Sequence, residues 1–206
     1  MTILRVDGLS KRYPAFCLRD VSFSIEEGRV MGLIGRNGAG KTTTIKSILR
    51  LVRPDGGTVQ FLGKPLDLDA SALRREAGYV SGDLCYYPRK RLSQLTAVTK
   101  SFYPSWDDKK YEALLHRFSL DETKRVCELS AGMKVKYQLA CALSHGAKLL
   151  ILDEPTSGLD PVSRDDLLDL LRTLCEKDGV SILFSTHITT DLGQYRTEKS
   201  ARYRQV

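Results

Sequence analysis

The stretch VMGLIGRNGAGKTTTIKSIL, from Val30 to Leu49, decides how the rest of the chain is read. Its opening residues form a short apolar run that stops at glycine, as a strand buried on both faces does. From Lys41 the apolar residues Ile45, Ile48, Leu49 and Val52 recur at helical spacing, and Pro54 to Gly57 are expected to end that helix. Between strand and helix, Gly35-Arg36-Asn37-Gly38-Ala39-Gly40-Lys41-Thr42 fits G-x-x-x-x-G-K-[ST] in the setting that pattern requires. Glycines there let the backbone wrap phosphates with its N–H groups inward, and the helix start adds its dipole. Gly35, Asn37, Gly38, Ala39, Gly40 and Thr43 are therefore read as nucleotide-binding. Lys41 reaches the β and γ phosphates, and the Thr42 hydroxyl takes a site on Mg²⁺.

Outward from this loop, the same texture recurs. KLLILDEP (148–155) and VSILFSTH (180–187) read as buried strands, and AGYVS and TVQFLG as shorter ones. PVSRDDLLDLLRTLCEKDG reads as an amphipathic helix, with Pro161 in its first turn and Gly179 past its end. Residues 3–7 and 21–25 suggest two further strands near the start. Strands alternating with helices predict an α/β fold around a parallel sheet covered on both faces. From about Asp83 to His145 strand signals fade and a charged helical pattern takes over, so this segment is read as a helical insertion.

Two acids close the KLLILDEP run. Asp153, at a strand's C-terminal end, can hold Mg²⁺, and Glu154 beside it suits a general base that polarises an attacking water. Pro155 ends the strand and is expected to re-aim the Glu154 side chain. His187 ends another buried strand, where its ring can bond near a γ phosphate. A second anion site is suggested by LSAGM (129–133), because Ser130 is a good N-cap and Ala131 and Gly132 leave the first helical turn bare.

The bulk properties narrow the class. The chain has 206 residues, 42% of them hydrophobic, and carries a net charge of +7. That is enough for a compact domain with a core. No apolar run approaches bilayer length, and the first residues lack the apolar centre of a secretion signal. Five scattered cysteines without metal-ligand spacing point to reduced thiols. The positive excess sits mid-chain, with eleven Lys and Arg against six Asp and Glu over residues 85–137. A solvated basic face, an anionic membrane surface and nucleic acid all remain open on charge alone.

Together, GRNGAGKTT, LSAGM, LLILDEPTSGLD and STH, in that order, resemble the nucleotide-binding subunit of an ATP-binding cassette (ABC) transporter, over about Ile3 to Leu192. The resemblance implies a phosphate-loop NTPase with a RecA-like, mainly parallel sheet. An antiparallel β subdomain at the N-terminal end completes the ATP-binding core over 1–82 and 146–192, a helical subdomain spans 83–145, and an irregular tail spans 193–206. It implies ATP and Mg²⁺ as ligands, Glu154 as catalytic base, His187 as switch histidine, and Lys41, Thr42 and Asp153 in the roles above. Tyr13 resembles the aromatic that stacks on adenine, and Ser157 to Asp160 the loop that couples two sites. Ser130 and Gly132 would contact the ATP held by a second cassette, in a head-to-tail dimer. The implied partners are that second cassette and a separate transmembrane subunit, placing the chain in the cytoplasm on the inner face of the membrane.

Three departures stand out. The usual LSGGQ is LSAGM, and the glutamine expected after AGYVS is Gly82, with Asp83 next to it as a substitute. The residues Gly193 to Val206 offer no helix or strand pattern, so the chain reads as cut short, with a sheet edge left uncovered. The insertion, including SFYPSWDD, leans toward exporter-type cassettes. Two other readings remain: a soluble cassette acting on nucleic acid or ribosomes, and a module that binds ATP but barely hydrolyses it. The first is disfavoured because about ninety residues separate phosphate loop and LSAGM without sustained heptads, and because only one phosphate loop is present.

Overall fold

The computed structural model describes residues 1–66, 70–82, 87–188 and 201–202. Asp83 and Cys85, and most of the tail, lie outside them. Among the described residues two sheets form. The first is antiparallel, in the order β2-β1-β4-β5, with β1 Thr2–Tyr13, β2 Phe16–Glu26, β4 Gly56–Phe61 and β5 Lys64–Pro65. The two strands expected near the start are thus one long hairpin, closed by Tyr13 opposite Phe16. The second sheet is parallel, in the order β6-β7-β8-β3-β9. Its strands are β3 Val30–Ile34, β6 Ala77–Ser81, β7 Leu149–Asp153, β8 Ser181–Thr186 and β9 Ala201–Arg202.

The parallel strands read as unbroken apolar runs because both their faces are covered. In β7, Leu150 and Leu152 join one core cluster while Leu149 and Ile151 join the other; in β8, Ile182 and Phe184 face one side and Leu183 the other. Helices α3 (Leu92–Ser101), α4 (Asp108–Arg117), α5 (Ala131–Ser144) and α6 (Pro161–Asp178) cover the first face. Helices α1 (Lys41–Ile48) and α2 (Ser71–Glu76) and the antiparallel sheet cover the second. The sandwich leaves the C-terminal ends of β3, β7 and β8 at one rim, where ligands of open α/β sheets bind.

Two expectations need correction. Helix α1 ends at Ile48 rather than at Pro54, because Arg50 takes a left-handed φ of 57° and Leu51 N–H donates back to the Lys46 carbonyl at 2.9 Å. The helix is therefore broken by a local backbone reversal that its apolar spacing does not register. The tail is not without strand either. Ala201–Arg202 runs parallel to β3 opposite Leu33 and Ile34, giving hydrogen-bond partners to an edge that was expected bare.

Helix α6 follows its sequence signals closely. Asp160 is its N-cap, accepting from Ser163 N–H at 3.0 Å, Pro161 is its first residue, and Gly179 caps the far end at φ 67°. At the end of α5, His145 is buried and its ring stacks on Tyr103 at 3.9 Å between centroids. Its Nδ1 has no hydrogen-bond partner among the described residues. Burial, with the nearby Lys110 charge adding to it, holds the His145 pKa below its ordinary value. The unfolded chain therefore takes up this proton more readily than the folded one. His145 contributes its stability fully above pH of about 6.5 and loses it as pH falls below that value. Urea midpoints compared at pH 8 and pH 5.5 are expected to show this fall, and His145→Phe, which keeps the stack, to reduce it. An unchanged pH dependence in the variant would exclude His145 as its source.

Candidate active site

The loop between β3 and α1 owes its shape to glycine. Gly38 and Gly40 take φ of 83° and 95°, a left-handed conformation that other residues rarely adopt. Gly40 also packs against the β1–β2 hairpin: a Cβ placed there would lie 2.8 Å from Phe16 Cζ and 2.8 Å from Leu18 Cδ1. The hairpin end is thereby held beside the loop. Tyr13 sits at that end, 38% exposed, its ring 6.5 Å from that of Phe16 and 5.8 Å from Lys11 Nζ. An accessible aromatic face next to a phosphate loop suits a purine ring.

Lys41 is buried, and its Nζ donates to the carbonyls of Gly35 (2.7 Å) and Arg36 (3.2 Å). The same Nζ makes an ion pair with Glu154 Oε1 at 3.0 Å. Glu154 Oε2 meets His187 Nδ1 at 2.9 Å. Residues 41, 154 and 187, far apart in sequence, thus form one continuous hydrogen-bonded group. If Glu154 accepts here as a carboxylate, His187 donates through Nδ1, and Nε2 carries the acceptor lone pair of the neutral ring. Glu154 is aimed here by its own backbone, at φ 50°, directly after β7 stops at Asp153. Pro155 was expected to do this re-aiming, but the left-handed turn comes one residue earlier. A non-glycine residue in that region is uncommon and clusters at functional sites.

Beside this group, Asp153 Oδ1 accepts from the Thr42 hydroxyl at 3.1 Å and from the Ser185 hydroxyl at 2.7 Å. Ser185 also accepts the Glu154 backbone N–H at 2.9 Å, so one buried hydroxyl fixes both acids. Sequence reasoning missed Ser185. It stands two residues before His187, after the apolar Ile182 to Phe184, but a serine at the end of a strand does not announce its neighbours. Thr42 and Asp153 offer a hydroxyl and a carboxylate at one point, a hard oxygen donor set that fits Mg²⁺ completed by phosphate oxygens and water. Among the described residues no group of three or more His, Cys, Asp and Glu forms a protein-only metal cage.

Ser130 and Gly132 are not part of this cluster. Ser130 caps α5, its hydroxyl accepting from Met133 N–H at 3.2 Å. Gly132 has only Leu159 Cδ2 near the position of a Cβ, at 3.7 Å. No hydrogen bond or ion pair among the described residues joins either residue to Lys41, Glu154 or His187. Met133, which stands where glutamine was expected, packs partly buried against the core. Gly82 lies against the acids: its N–H donates to Asp153 O at 3.0 Å.

Residues 18–157 match the family described as ABC transporter. The chain is 34% identical over 175 residues to the ABC transporter ATP-binding protein YtrB of Bacillus subtilis (strain 168), covering 85% of this chain and 60% of that protein. It is 36% identical over 195 residues to the Nod factor export ATP-binding protein I of Burkholderia orbicola (strain AU 1054), covering 91% and 64%. The chain thus spans less than two thirds of the length of either relative. A solved structure of the ATP binding subunit of an ABC transporter superposes with a TM-score of 0.80 at 34% identity, covering 94% of this chain and 82% of that one. The matched segment contains the phosphate loop, the α5 start and the acid pair in the arrangement just described, and the chain belongs to the ABC transporter family.

Proposed function

We propose that this chain binds ATP with Mg²⁺, pairs head to tail with a second cassette, and hydrolyses ATP to drive transport, most simply export, by a separate membrane subunit. The observation that carries the reading is the Lys41–Glu154–His187 group beside Thr42 and Asp153. The backbone N–H groups of Gly38 to Thr43 and the Lys41 ammonium bind the triphosphate, and Tyr13 stacks on adenine. Thr42 and Asp153 would hold Mg²⁺, which would supply positive charge against the phosphates. Glu154 orients a water and takes its proton as the water oxygen bonds to the γ phosphorus. The bond from that phosphorus to the bridging oxygen breaks, releasing ADP and phosphate. His187 holds the Glu154 carboxylate in line through Nδ1.

Ser130 and Gly132 present bare helical N–H groups away from the chain's own site, which fits a phosphate brought by a partner cassette. No helix among the described residues is long and apolar enough to cross a membrane. On the helical segment, Val98 near the end of α3 and Phe102, its C-cap, are exposed at 59% and 73%. They suit a docking helix of the membrane partner. The placement is accordingly cytoplasmic, on the inner membrane face. Similarity to a Nod factor export protein supports the direction of transport.

The test is ATP turnover measured against protein concentration, for the wild type and for Ser130→Asp. Aspartate caps a helix as well as serine, so melting is expected to be unchanged. Its charge opposes a partner's γ phosphate, and turnover is expected to fall by at least about tenfold. Specific activity should rise with concentration in the wild type. Constant specific activity on dilution, together with wild-type speed in Ser130→Asp, would overturn the proposal.

A further inference from the structure

Helix α5 does more than present Ser130. Two turns after its start, the Gln138 side chain reaches the end of the edge strand β6. Gln138 Oε1 accepts from Ser81 N–H at 3.0 Å, and its Nε2 donates to Ser81 O at 2.8 Å and to Lys134 O at 3.3 Å. One amide thus satisfies both backbone groups that Ser81 turns away from the sheet, much as a neighbouring strand would. The pairing also fixes the amide's orientation, since a flip would set donor against donor and acceptor against acceptor. Ser81 lies opposite Asp153 in the β6–β7 register, and the next residue, Gly82, donates to Asp153 O and lies in contact with the Glu154 peptide. A short rigid path therefore runs from the α5 helix through Gln138, Ser81 and Gly82 to the acid pair.

We propose that Gln138 is a positioning residue that ties the Ser130–Gly132 helix start to the Asp153–Glu154 corner of the same chain, so that phosphate contact at one nucleotide site is felt at the other. This rests on the proposed head-to-tail dimer, in which Ser130 serves the partner's nucleotide while Glu154 serves its own. Helix α5 cannot then shift on its axis without moving the strand end that packs on the base. The clamp acts on geometry rather than on nucleotide affinity, because Gln138 has no place in the phosphate loop. It signals turnover and cooperativity between sites, not ATP capture.

The decisive variant is Gln138→Met, which keeps the side chain's length and bulk and removes both hydrogen bonds; Gln138→Ala removes the bulk as well. Two measurements are made on the full chain. Amide hydrogen exchange at Ser81 and Gly82, without nucleotide, is expected to accelerate about tenfold in Gln138→Met while the core of β7 stays protected. In steady-state turnover, the KM for ATP is expected to stay within about twofold of wild type, kcat to fall about tenfold, and the Hill coefficient to drop from above one toward one. A purely packing role would leave the Met variant like wild type and damage only the Ala variant, which overturns the proposal. Unchanged exchange, an unchanged Hill coefficient, or a loss carried by KM overturns it equally. A wild-type chain with no ATP turnover defeats the hydrolysis reading and the coupling with it, whereas wild-type turnover with an unaffected Gln138→Met defeats the Gln138 assignment alone.

Discussion

Glu154→Gln is expected to lose at least about a hundredfold in kcat while still binding ATP, since a positioned general base contributes factors of this size and larger. Both oxygens of Glu154 are committed, Oε1 to Lys41 Nζ at 3.0 Å and Oε2 to His187 Nδ1 at 2.9 Å, so the carboxylate is held in a single orientation at the β7 rim. An amide of the same shape can keep the Lys41 contact through its oxygen and can donate to His187 Nδ1 in the other tautomer, but it cannot accept a proton from water. Removing the negative charge also lowers repulsion against a triphosphate, so ATP affinity should hold or rise. Lys41→Ala is the contrasting case. It removes the ammonium that the loop is built to deliver, and its loss should appear in nucleotide binding as well as in turnover. Phosphate release and equilibrium ATP binding, measured on both variants, separate the two. Glu154→Gln turning over within about threefold of wild type would exclude Glu154 as the base.

The contrast between Glu154 and Ser185 shows what the amino-acid sequence discloses and what it does not. The strands β7 and β8 were legible because both of their faces are buried, which fills their centres, Leu149 to Leu152 and Ile182 to Phe184, with unbroken apolar residues. Lys41, Thr42, Asp153 and Glu154 were legible because each stands where such a run breaks into polar residues. The partners that aim these groups were not. Ser185 reaches Asp153 and Glu154 only through sheet pairing, and Gln138 reaches Ser81 across the gap between a helix and an edge strand. Neither relation has a local pattern. The end of α1 escaped for a related reason: Arg50 reverses the backbone at φ 57°, and arginine carries no preference for that conformation that a reader could use. The hairpin's length was underread because its register shifts at three places, which interrupts the alternation that marks a strand.

Gly82 supplies the second large expected effect, and its sign runs against the family pattern. Glutamine is the residue expected at this position, so Gly82→Gln looks like a repair. Here it should be damaging. A Cβ on Gly82 would stand 2.3 Å from the Glu154 carbonyl oxygen and 3.2 Å from its carbonyl carbon. Both are backbone atoms of the residue proposed as base, and they cannot swing aside as a flexible side chain would. Gly82 is also tied by its N–H to Asp153 O, and the strand end before it is clamped by Gln138, so neither side of the contact has room to yield. The Asp153–Glu154 peptide must move instead, taking the Glu154 carboxylate out of line with Lys41 and His187. A displacement of about an ångström at a reacting group can cost on the order of a hundredfold in rate. The Cβ alone is the offending atom, so Gly82→Ala is expected to show most of the loss, at least about tenfold in kcat, and the longer side chain of Gly82→Gln to recover none of it. ATP binding should suffer less than turnover in both, because the phosphate loop is untouched. Turnover in Gly82→Gln above that of wild type would mean that the strand end can open to admit a side chain, and that the tight Gly82–Glu154 packing does not govern the position of the base.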